Sequence, residues 1–143
     1  MKKFKFKLQP VLNVRETRKK IAEKAVSVTQ ARLNKVDEEV KHIQSLKEQS
    51  FFFQKKGTQL GFWMELCENY RTGLKHQESK LLEQKNKLQN RLKVEKKELI
   101  SKLTDEKVLN TLREAKLNEY LVEAEKEEQK EIEELDILKR GKK

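Results

Sequence analysis

The chain is poor in everything that interrupts a helix. Its 143 residues include one proline, Pro10, and only four glycines. Cysteine is as scarce: Cys67 stands alone, which excludes an intrachain disulfide and fits a reducing cytoplasm. No apolar run is long enough to cross a bilayer, so a soluble chain is expected. The basic start is not followed by the apolar stretch of a secretory signal. Gly57 and Gly61 lack the Lys-Ser/Thr pair that completes a phosphate-binding loop. His42 and His76 are the only histidines, too few to hold zinc. No nucleophile–base constellation appears. The expectation is no enzyme, no metal and no cofactor.

What is present is charge and leucine. Charged residues make up 41% of the chain and hydrophobic residues 35%. That is too polar for a wide core, yet too periodic for disorder. Long helices of the coiled-coil class remain. The net charge of +10 is uneven. Residues 1–56 hold 15 basic and 6 acidic side chains, whereas residues 105–143 hold 9 and 12. A basic excess can serve nucleic acid, an anionic membrane or an acidic protein. Lys2, Lys3, Lys5, Lys7, Arg15, Arg18, Lys19 and Lys20 form the densest patch. No nucleic-acid-binding module surrounds it, so no nucleic-acid partner is expected.

The periodicity predicts one domain with four parts: an extended lead-in over 1–9, helix 1 over 10–55, a turn over 56–61, and helix 2 over 62–140. Phe4, Phe6 and Leu8 alternate with lysines, as extended chain does, and Pro10 opens the first helix. On helix 1 the apolar stripe is expected at Val11, Val14, Ile21, Ala25 and Val28, then at Leu33, Val36, Val40 and Ile43. The two runs are out of phase by one residue, which predicts a locally straightened coil. On helix 2 the stripe runs through Cys67, Leu74, Leu81 and Leu88, then Leu92, Leu99 and Leu103, then Leu109, Leu112, Leu117, Tyr120, Leu121 and Ala124. Cys67 is expected in the seam. Asp136 near the helix end predicts fraying past Leu135.

Two long amphipathic helices joined by one turn give an all-α fold, an antiparallel two-helix coiled-coil hairpin with unequal arms. Helix 1 reaches roughly 70 Å and helix 2 roughly 115 Å at the usual rise. Pairing counted from the turn sets residue 42 opposite about residue 76 and residue 8 opposite about residue 110. Helix 2 then overhangs after about Leu112, with an apolar stripe that needs a partner. Phe51, Phe52 and Phe53 cannot all face one helix, so at least one is expected on the surface near Phe62 and Trp63.

These residues resemble the flagellar FliJ family. The start matches its Phe-x-Phe-x-Leu, Val-Leu and Arg pattern at Phe4, Phe6, Leu8, Val11, Leu12 and Arg15. Trp63 stands at the head of helix 2, and Gln129, Lys130, Ile132, Glu133 and Glu134 match the family's closing segment. The resemblance spans the whole chain. It implies a fold similar to the central stalk of rotary ATPases and a role in flagellar type III protein export. The partners it implies are the hexameric export ATPase, the cytoplasmic domain of the export-gate membrane protein, and export chaperones. It implies a cytoplasmic location, peripheral at the inner membrane through that apparatus.

By the same resemblance, gate contact falls on Tyr70, Leu74, Gln77 and Leu81. Gln77 and Leu81 stand where the family has a small residue and a histidine. ATPase-ring contact falls on Phe4, Phe6, Leu8, Arg15, Leu117, Tyr120, Gln129, Lys130, Ile132, Glu133 and Glu134. The lead-in either covers the overhanging stripe or adds contacts to the ring. A monomer in isolation is expected. The stalk of a virulence type III system and a structural homodimeric coiled coil are the alternative readings.

Overall fold

The computed structural model describes residues 3–56 and 61–142. Helix α1 runs Gln9–Lys56 and helix α2 runs Gly61–Gly141, and the chain is an all-α helical hairpin. Both helices start and stop one residue beyond the expected bounds. The turn at Gly57 and Thr58 lies outside the described residues.

The entry to α1 explains the position of Pro10. The Gln9 amide donates to the Phe6 carbonyl at 3.1 Å, and the Leu12 amide donates to the Leu8 carbonyl at 2.9 Å. Pro10 sits in the first turn, where a missing N–H costs nothing and its fixed φ suits the helix. At the other end α2 continues through Asp136 to Gly141 rather than fraying after Leu135. Lys139 and Arg140 occupy its last turn, where cations complement the helix dipole.

The chain divides into two compact units. One is Ile21–Leu99. Its seam buries Leu33, Val36, Val40 and Ile43 of α1 against Cys67, Leu74 and Leu92 of α2, as the periodicity predicts. Leu81, Leu88 and Leu99 are half-buried on the same line.

The early stripe of α1 is a correction. Ile21 is 65% exposed, and Val28 is exposed too. Ala22 and Val26 turn inward instead, and Thr29 is buried at 3% exposure. Positions 22, 26, 29, 33, 36, 40 and 43 then advance in unbroken steps of four and three, so the phase slip does not exist. A threonine filling a seam position made the run of exposed valines look like the seam.

The register also differs from expectation. Lys47 pairs with Glu78, and Lys85 pairs with Asp37 at 2.8 Å. Partners on α2 therefore lie four to seven residues later than a count from the turn gives.

The other unit is Met1–Lys20 with Ile100–Lys143. Leu12 and Leu109 form its buried centre. Val11 and Val14, expected inside, are exposed, and so are Leu103, Leu112 and Leu121 of α2. The seam takes Lys102 and Glu106 at half-burial, then Leu109, Leu117, Tyr120 and Ala124. Eight residues separate Leu109 from Leu117, one more than a heptad, which rotates the stripe around the helix. Beyond Ala124 every described residue is exposed. The unpaired end of α2 thus begins after Ala124 rather than after Leu112.

Candidate partner-binding surfaces

The terminal unit gathers residues from both ends of the sequence. Phe4 and Phe6 are half-buried while Lys3, Lys5 and Lys7 are exposed, so the lead-in alternates as extended chain should. The Phe4 ring meets the Tyr120 ring at 5.6 Å between centroids and 51° between planes. The lead-in therefore covers part of the α2 stripe, one of its two expected roles. Arg15 Nη1 donates to the Asp105 carbonyl at 2.7 Å, and Lys19 pairs with Glu106 at 2.9 Å. Arg15 is thus engaged within the unit and pins α1 to α2. Leu8 stays exposed and Leu117 half-buried. Gln129, Lys130, Ile132, Glu133 and Glu134 all lie on the exposed end of α2. Of the proposed ring-contact set, the structure brings Phe4 to Tyr120 and leaves the closing motif free.

In the Ile21–Leu99 unit the four residues that the resemblance assigns to gate contact separate. Leu74 is 5% exposed and faces α1 across the seam, whereas Tyr70 is 49% exposed. Tyr70 lines a groove of about 500 Å³ with Phe53, Trp63, Leu66 and Cys67. Gln77 and Leu81 line a neighbouring groove of about 720 Å³ with His42, Ile43 and Leu46 of α1. Sequence reasoning matched residues along helix 2 alone and missed the α1 side of that groove. The hairpin register was the signal that pointed to it. Cys67 is buried, as expected for a seam residue.

Phe51, Phe52, Phe53 and Phe62 are each more than half exposed. The Arg71 guanidinium sits 4.3 Å from the Phe51 ring centroid, a cation–π contact. The Trp63 indole N–H is buried and has no hydrogen-bond partner among the described residues. Exposed aromatics in such a concentration are characteristic of interaction surfaces. Among the described residues no helix is long and apolar enough to cross a membrane. Among them, too, no group of three His, Cys, Asp or Glu side chains is placed to hold a metal ion.

A family model described as Flagellar FliJ protein matches residues 4–139. The chain belongs to the FliJ family. No curated protein and no solved structure matches it. Membership makes this FliJ-family chain an accessory component of the flagellar type III export apparatus. The match begins at Phe4, which packs on Tyr120, and ends at Lys139, in the last turn of α2. It therefore takes in the lead-in, both helices and the exposed C-terminal segment.

Proposed function

We propose that this chain is the central stalk and activator of the hexameric flagellar export ATPase, linking it to the export gate and escorting export chaperones. The observation that carries the reading is the terminal unit. There the N-terminal lead-in, within the family match, is folded onto α2 beside a helical segment whose stripe has no partner among the described residues. An apolar stripe left in water contributes nothing to helix stability until something packs on it. A ring lining supplies that packing.

Ring contact is assigned to Phe4, Phe6, Leu8, Leu117, Tyr120, Gln129, Lys130, Ile132, Glu133 and Glu134. Arg15 holds α1 in place behind them. Gate contact is assigned to Tyr70, Gln77 and Leu81, with Leu74 supporting them from the seam. The chain then works at the cytoplasmic face of the inner membrane, held there by its partners. The test is direct: add the purified chain to the export ATPase and follow ring assembly and the rate of ATP hydrolysis. Both should rise. An unchanged rate and an unchanged ring population refute the stalk reading.

A further inference from the structure

The terminal unit carries two exposed apolar stripes of opposite electrostatic setting. One is on the free end of α2, where Ile132, Leu135 and Leu138 recur at three-residue steps and each is more than half exposed. Residues 125–136 around it hold seven carboxylates and two lysines. None of those carboxylates is in an ion pair among the described residues. The other stripe is Leu8, Val11 and Val14, which is exposed while Leu12 points into the unit. Lys7 next to Leu8 and Arg18 one turn beyond Val14 stand exposed beside it, and Lys3 and Lys5 are exposed on the lead-in.

One copy cannot bring these stripes together. Its lead-in meets α2 at Tyr120, while Ile132 to Leu138 lie roughly 18 to 27 Å further along the same helix. Two copies related by a twofold axis can. We infer that a second copy of this chain covers the stripes: each copy lays its acidic C-terminal segment on the basic Leu8–Val11–Val14 face of the other. The contact is isologous, so one rotation satisfies both segments at once. It sets Leu121 and Val122 of the two copies near the axis, and both residues are half exposed in the single chain.

The complementarity sets the character of the pair. Exposed ion pairs are individually weak and salt-screened, so the dimer forms at micromolar concentration and dissolves as ionic strength rises. The faces it covers include residues assigned to the ATPase ring. Pairing between copies and entry into the ring are thus mutually exclusive, and the copy in the ring is single. The inference does not depend on the ring assignment.

Sedimentation velocity on the full chain tests it. At low salt and micromolar concentration a dimer is expected, with its dissociation constant rising roughly tenfold at high salt. Two charge reversals separate this contact from any other. The variant E131K/E133K/E134K and the variant K7E/R18E should each be monomeric and fully helical by circular dichroism. Mixed in equal amounts they should form a heterodimer, because both tail-to-face contacts then regain opposite charges. A monomer at low salt across the concentration range overturns the inference. So does a dimer indifferent to both reversals, and so does a mixture that stays monomeric.

Discussion

The ring of Phe4 packs on the ring of Tyr120, 116 positions later in the chain, with centroids 5.6 Å apart. This contact closes the N-terminal lead-in over a stripe that α1 has already left. It accounts for the alternation of Phe4 and Phe6 with lysines: one side of the extended segment packs on α2 while the other stays in water.

An aromatic pair contributes about 0.5–1.5 kcal/mol beyond the area it buries. In a double-mutant cycle, Phe4→Ala and Tyr120→Ala should show a coupling energy of about that size in urea unfolding. Strictly additive losses would mean the contact does not hold the lead-in. Hydrogen exchange at the Gln9 and Leu12 amides gives a second readout and should quicken in Phe4→Ala.

The seam assignment makes opposite predictions for two apolar residues on α1. Val40 is buried and Ile21 is exposed. Val40→Ala should destabilise by about 2 kcal/mol, by lost transfer energy and the cavity left behind. Ile21→Ala should change stability by less than about 0.5 kcal/mol. Equal losses at both positions would restore the discarded stripe.

Much of the fold is legible in the sequence because helix class and the Leu33–Ile43 and Cys67–Leu74 seams are written in apolar spacing. The misread stretch has a physical cause. Thr29 and Ser50 are buried and Lys19 half-buried at seam or near-seam positions, while Val11, Val14, Ile21 and Val28 lie beside the seam. A reading that follows apolar residues alone chooses the wrong side there. The register was missed because it depends on where the Lys47–Glu78 and Asp37–Lys85 pairs lock, not on a count from the turn. The candidate surfaces were legible only as motifs. The α1 wall of the groove that Gln77 and Leu81 line required the packed pair.

Gly73 lies inside α2, and a Cβ added there meets no atom within 4 Å. Its only effect is the backbone freedom that the unfolded chain gains. Gly73→Ala should therefore stabilise the protein by about 0.5–1 kcal/mol, read as a higher denaturation midpoint. A loss of stability would indicate a packing neighbour that the structure does not place there.

Trp63 is the only tryptophan and lines the groove with Tyr70. Its fluorescence therefore reports on that surface without a second tryptophan from this chain. Titration with the cytoplasmic domain of the export gate should shift its emission, and Tyr70→Ala should weaken binding by about 1–2 kcal/mol. Binding that leaves the emission unmoved and tolerates Tyr70→Ala would place the gate contact elsewhere.

The most direct measurement of the stalk account is the steady-state ATP hydrolysis rate of the export ATPase with the full chain and with a chain ending at Ala124. The truncated chain keeps the Phe4–Tyr120 contact and lacks the exposed helical segment. The account predicts stimulation by the full chain and its loss on truncation, with the helical fold of the remainder unchanged. Equal stimulation by both chains, or none by either, would contradict it.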